Sequence, residues 1–289
     1  MTPFRFIARA ALAAWLLGGA GCSLALATDA EQCNVDSDCT ARGSAFANTV
    51  CTANVCVPPP DPKWGCVGSV APLMAGGMTS FTMAFQNLVT MVPITSDLTI
   101  QLCSKLDPTC AAHLTTSPLS VDAKGDVSVT VASDFDGYLD ITDTSGTYVE
   151  SLVFVDVVAV AKNSLTYLVP KNAEMGLAAN AMVPLDPTGA LVLVQTVDCT
   201  EGRTAGASVS MAPVGSETAF YVIANSLLPT PTATETDVSG NAGFVNVMAP
   251  QTVTLTGTIA LSSKEYGKVT TLVRPGTVTY QILRPTTPP

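Results

Sequence analysis

The chain has 289 residues, a charged fraction of only 12%, a hydrophobic fraction of 47% and a formal net charge of −10. So little charge with so much apolar material argues against a disordered chain, and the acidic balance, which repels phosphate backbones, argues against a nucleic-acid partner. Beyond the first segment no apolar run reaches the roughly 18 residues a membrane-spanning helix needs.

Residues 1–21 read as a signal peptide. Arg5 and Arg9 precede an apolar run of Ala, Leu, Ile and Trp, and small residues follow. Gly19-Ala20-Gly21 directly before Cys22 resembles a bacterial lipobox, which implies that Cys22 is acylated and becomes the new N-terminus. Gly19 stands where a lipobox usually carries Leu. Ala25-Leu26-Ala27 is a second cleavage signal, and its use extends the signal to residue 27 and leaves a free chain starting at Thr28. Both routes export the chain and remove two arginines, taking the net charge from −10 to about −12. The expected address is an outer-membrane or cell-surface lipoprotein, otherwise a secreted or periplasmic protein.

Nine cysteines are present, and either cleavage takes Cys22 out of the thiol pool. Eight remain, an even number that suits a disulfide framework in an oxidising compartment. Cys33, Cys39, Cys51 and Cys56 crowd into residues 28–57, a segment too short to build an apolar core and dependent on cross-links. With no C-x2-C pair and His113 as the only histidine, zinc ligation would need unusual spacing, and structural disulfides are the expected use. Four cysteines alone permit three connectivities. The cluster resembles the small Cys-rich knots near the N-termini of secreted and lipid-anchored proteins, many of them myxobacterial. That resemblance implies first-to-third and second-to-fourth pairing, Cys33 with Cys51 and Cys39 with Cys56.

Residues 58–63, rich in proline, read as a stiff polyproline spacer. A first β-sandwich module is expected over 64–183. Cys103 and Cys110 flank Ser-Lys-Leu-Asp-Pro-Thr, a turn-like run, and would staple a hairpin loop; Cys66 and Cys199 are left to pair with each other. Val127, Val129 and Val131 alternate with Ser128 and Thr130, and Leu139 and Ile141 flank Asp140, both at strand period. Leu152 to Val160, apolar except for Asp156, reads as a buried strand. Asn172 to Met182 alone looks helical, and Pro184, Pro187 and Gly189 then mark a boundary.

A second module is expected over 190–285. Gly202-Arg-Thr-Ala-Gly-Ala-Ser-Val-Ser-Met211 is followed by Thr236-Asp-Val-Ser-Gly240-Asn-Ala-Gly-Phe244-Val-Asn-Val247. The pair of motifs resembles a carboxypeptidase-regulatory-like (transthyretin-like) β-sandwich over roughly 190–260. The resemblance implies a structural or binding accessory with no catalytic residues of its own. Ala207/Val209 and Val245/Val247 would each point inward at period 2. The stretch Asn225 to Thr234, with two prolines, departs from the compact family pattern. Val253, Leu255 and Ile259 alternate with threonines, and Val278, Tyr280 and Ile282 form the last strand before a tail that would fray from Pro285. The expected fold class is all-β: a small disulfide knot followed by two β-sandwich modules, prealbumin-like or Ig-like.

Catalytic chemistry finds little to use. Asp134 and Asp136, before Gly137, could open a calcium loop with Asp140 or Asp143, but an EF-hand needs a carboxylate at its twelfth position, where Ser145 stands. The simpler reading is an Asp-rich turn, with no metal. His113 has no second histidine for a base–orienter set, and Trp64 would pack on a disulfide. No G-x-S-x-G, P-loop or G-x-G-x-x-G motif occurs. The expectation is therefore no enzyme and no cofactor. The expected partners are a membrane, through the acyl anchor, and other surface proteins or glycans. A carbohydrate- or calcium-dependent adhesion module is the alternative, and a hydrolase with an unrecognised carboxylate site the next.

Overall fold

The computed structural model describes residues 31–57, 59, 62–70, 76–105, 107–115, 117–156, 164–223 and 228–286. The signal segment and Cys22 lie outside them, as do Val157 to Val160 of the expected apolar strand. The chain divides into two compact units, one ending at Pro59 and one beginning at Pro60.

In the first unit a short helix α1 (Asp36–Ala41) precedes a hairpin of β1 (Val50–Thr52) and β2 (Val55–Val57). Ala53 and Asn54 both take positive φ, 48° and 64°, as a two-residue turn with the right twist for a hairpin requires. That turn sets Cys51 opposite Cys56 in the ladder. From there one disulfide runs to Cys33 and the other to Cys39 in α1. Asp38 Oδ2 accepts the N–H groups of Asn34 (2.7 Å) and Val35 (3.1 Å), and Asp36 Oδ1 that of Cys51 (2.8 Å). Among its described residues only Cys33 and Cys39 are buried, so the sulfurs are the core.

Among its described residues the body is all-β apart from one helix. Its first half holds β3 (Met78–Asn87), β4 (Leu98–Ser104), β5 (Asp126–Ala132), β6 (Gly137–Asp143), β7 (Ser151–Val155) and β8 (Ser164–Leu168). The helix α2 (Lys171–Asn180) follows, one residue earlier and two shorter at its end than the sequence pattern. The second half holds β9 (Ala190–Thr196), β10 (Ala207–Ala212), β11 (Thr218–Val222), β12 (Pro229–Thr230), β13 (Asn241–Val247), β14 (Gln251–Ile259), β15 (Lys264–Val273) and β16 (Val278–Leu283).

Eight of these strands make one sheet in the order β12-β11-β13-β9-β16-β7-β6-β4. Strands from 64–183 and from 190–285 thus belong to a single sheet, joined by β16, which pairs in parallel with β7 on one side and β9 on the other. Two further sheets have three strands each, β5-β3-β8 and β10-β14-β15.

Side-chain alternation decides where the small sheets lie. In register, Val153, Tyr280 and Leu193 stand side by side on one face of the large sheet, and Leu152, Thr279 and Val192 on the other. On the first face, Val153, Val155, Leu139 and Ile141 pack under Met83 and Phe85 of β3 and the valines of β5. On the opposite face, at the other end of the sheet, Val192, Val194 and Phe244 pack under Val209, Met211, Val253 and Leu255. The two small sheets therefore cover opposite faces of opposite ends. The remaining half of the first face is covered by Leu177, Ala178 and Ala181 of α2 and the residue after it, against Leu191, Phe220 and Val245. The remaining half of the second face is covered by the Cys103–Cys110 loop and Leu272, against Tyr138, Leu152 and Phe154.

Two local expectations change, and Trp64 gains a ring partner. Val245 and Val247 do not share a face: the β9–β13 register shifts between Phe244 and Val247 around Asn246, whose φ is +61°, so Val245 meets α2 and Val247 the small sheet. Asn246 secures the bulge by accepting the N–H of Asp186 (2.8 Å) and donating to the Pro184 carbonyl (2.8 Å). The tail is still tied past Pro285, where Thr286 N–H donates to the Tyr266 carbonyl at 2.9 Å. Trp64 meets the ring of Tyr266, centroids 4.7 Å apart, and packs on the second core.

Candidate functional site

The first face of the large sheet carries a chamber of about 300 Å³ between the β5-β3-β8 sheet and α2. Its floor is Leu193, Phe220, Tyr280 and Ile282; Met83 and Leu177 stand at its walls. The alternation of β9, β11 and β16 puts these apolar side chains on that face, and the sideways offset between the small sheet and the helix leaves the space between them. Tyr280 donates its hydroxyl to the backbone carbonyl of Tyr167 in β8. Burial pushes that phenol well above its ordinary value of 10.0, so it stays neutral.

One end of the chamber is polar, lined by Gln195, Arg203, Ser239 and Asn241. Two short turns build it. Asp198 Oδ1 accepts from Thr200 N–H (2.8 Å), the Thr200 hydroxyl (2.7 Å) and Gly202 N–H (3.3 Å), curling the loop after β9. Arg203 then bridges back to Val197, and the disulfide from Cys199 to Cys66 anchors the loop. In the second turn the Ser239 hydroxyl donates to Val222 O (2.9 Å), and Ser239 N–H donates to Asp237 Oδ1 (2.8 Å). Gly240 follows at φ +66°, where a Cβ would stand 2.6 Å from the Thr196 carbonyl and 3.2 Å from Arg203 Cβ. Only glycine allows the two turns to approach so closely.

Arg203 is exposed at its side chain but not free. With its amide turned to satisfy both groups, the Gln195 oxygen accepts from Arg203 Nε and, at 3.2 Å, from Nη2. Of the body's three arginines, Arg274 is paired with Asp140 (2.6 Å) and Arg284 with Asp156 (3.1 Å) and Glu201 (3.3 Å). Arg203 has no carboxylate partner among the described residues. Nor does the Asn241 amide, next to Gln195 across the β9–β13 ladder, make a side-chain hydrogen bond among them.

The residues singled out in the sequence lie elsewhere. Cys103 is bonded to Cys110 and Cys66 to Cys199. The 103–110 loop turns the chain so that Leu114 N–H reaches Leu102 O and Leu119 pairs with Ile100, an irregular return along β4. His113 is exposed, its Nδ1 3.5 Å from Cys110 Sγ. Asp134 and Asp136 are exposed; Asp136 pairs with Lys105 at 3.0 Å. Among the described residues no third ligand joins those two aspartates at metal-binding distance. Asp143 turns its oxygens on its own loop, accepting Thr147 N–H (2.6 Å) and Tyr148 N–H (2.8 Å). A second cavity of about 410 Å³ lies beside Lys105, Asp136, Asp156 and Arg284, where these charges pair within the protein. Arg203 was not singled out in the sequence, because one arginine between a glycine and a threonine forms no pattern; only its place in the fold marks it.

No family model matches the chain, and no curated protein matches it. Among solved structures it is similar to the shaft pilin SpaA from Lactobacillus rhamnosus GG, at 10% identity and a TM-score of 0.25 over 73% of this chain and 98% of that one. It is also similar to the Streptococcal ancillary pilin (12% identity, TM-score 0.21, 72% of this chain and 69% of that one). A C-terminal fragment of the pilus adhesin SpaC from Lactobacillus rhamnosus GG matches at 13% identity and a TM-score of 0.17, over 72% of this chain and 98% of that one. At these scores the likeness carries no functional argument. The all-β architecture rests on the strand pairing itself. Among the described residues, no helix is long and apolar enough to cross a membrane.

Proposed function

We propose that the chain is an exported protein, held at a membrane by an acyl group on Cys22, with a structural or binding role at the cell surface and no catalytic one. The observation that supports it is the sulfur inventory. Every cysteine from Cys33 to Cys199 is in a disulfide, and disulfides persist in oxidising compartments and are rare in the cytosol. Cys22 stands apart from that set, directly after an export signal, and acylation gives it a use that pairing does not. Its partners on this reading are the membrane and other surface proteins or glycans.

Detergent-phase partitioning of the expressed chain tests the anchor. The natural chain is expected in the detergent phase, and Cys22→Ser in the aqueous phase with its disulfides intact. Unchanged partitioning, with an N-terminus at Thr28, would mean that cleavage occurs after Ala27 and that the protein is soluble after export.

A further inference from the structure

We propose that the chamber beside α2 is a binding site for a small amphipathic carboxylate, of the medium-chain fatty-acid class. The tail would lie among Met83, Leu177, Leu193 and Phe220, and the carboxylate would sit on Arg203 and Asn241. Nothing in this depends on how the chain is anchored.

Three observations select this ligand chemistry. The chamber's volume, about 300 Å³, stands at the lower end of the range for small-molecule sites, roughly 300–1,000 Å³, which fits a ligand of modest size. Its interior is apolar, so the body of the ligand must be too. Its polar end carries a cation without an anion. The other two arginines of the body are neutralised by carboxylates, whereas Arg203 is held by an amide that orients the guanidinium without cancelling its charge. Gln195 takes Nε and one hydrogen of Nη2, leaving the outer edge of the fork for a planar anion, the geometry in which arginine pairs with a carboxylate. The Asn241 amide beside it supplies a further donor. A protein of net charge −10 repels anions in general. Attraction at this one place is therefore local and selective.

Isothermal titration of the purified protein with decanoate, decanol and decylammonium tests the proposal, together with methyl NMR of the methionines and leucines. Decanoate should saturate a single site, bind more tightly than decanol and much more tightly than decylammonium, and shift the Met83, Leu177 and Leu193 methyls. Arg203→Gln should weaken decanoate roughly tenfold, the loss of one charge-assisted pair, while leaving decanol unchanged. Arg203→Lys, which keeps the charge without the fork, should fall between. Leu193→Trp should fill the chamber and remove binding of both; an unchanged amide spectrum away from β9 shows that the fold survives. Absence of saturable decanoate binding, equal affinity for decanol, or indifference to Arg203→Gln would each overturn it.

Discussion

Asp143 shows how much one exposed-looking acid can do. Between β6 and β7 its carboxylate accepts the N–H groups of Ser145 (2.9 Å), Thr147 (2.6 Å) and Tyr148 (2.8 Å), and the Ser145 hydroxyl (2.8 Å). Desolvation, the largest single influence, pushes its pKa up, but the bonds from Tyr148, Ser145 and Thr147 together outweigh it and hold the carboxyl below its ordinary 3.8. A depressed folded-state pKa adds stability that is present above 3.8 and is lost as pH falls through the folded value. Asp143→Asn is therefore expected to cost roughly 1–2 kcal/mol in urea melts at neutral pH. The gap should shrink as the pH falls below 3.8, and a gap that does not shrink there would refute the assignment. From the residues alone Asp143 reads only as a member of a possible calcium loop, and its role in closing its own turn shows only in the fold. Asn246 was not legible. Within a run of valines it reads as the polar half of an alternation, and its left-handed backbone comes from the Pro184–Asp186 loop it binds, a contact from far along the chain.

The elements themselves were largely visible. Val127, Val129 and Val131 are buried with Ser128 and Thr130 exposed, and Val253 and Leu255 are buried between threonines, so period 2 placed these strands without tertiary information. The helix was visible because Ala and Leu recur at its spacing. Neighbouring elements were not, since a strand's face pattern does not name its partner. The Cys66–Cys199 link is the element that most constrains the unfolded body, closing a separation of 133 residues. Replacing both cysteines by serine is expected to lower stability by roughly 4–5 kcal/mol in the loop-entropy picture. It should also loosen the loop that carries Arg203. Guanidinium melts of the double variant check this, and a loss below about 1 kcal/mol would show that the cross-link holds geometry already fixed by packing.

At the scale of the whole body, the opposed small sheets and the strand between the halves are what the sequence concealed. Both faces of the central sheet are apolar, as Leu191 and Val192 alike being buried attests, so alternation cannot say which face takes which cover. The chamber was hidden for the same reason: it is the gap between two covers, made by residues from β3, β9, β11, β16 and α2. Ending the chain at Gly276 removes β16 and is expected to leave β7 and β9 with unpaired apolar edges, giving oligomers in size-exclusion chromatography and rapid proteolysis. A monodisperse, protease-resistant product would show that the halves are independent. Any chain that emerges N-terminus first, from a ribosome or through a pore, must then wait for its sixteenth strand. Until it arrives, two unfinished sheets stand side by side, each a template for the wrong neighbour, and a chaperone that shields strand edges has its work set out for it.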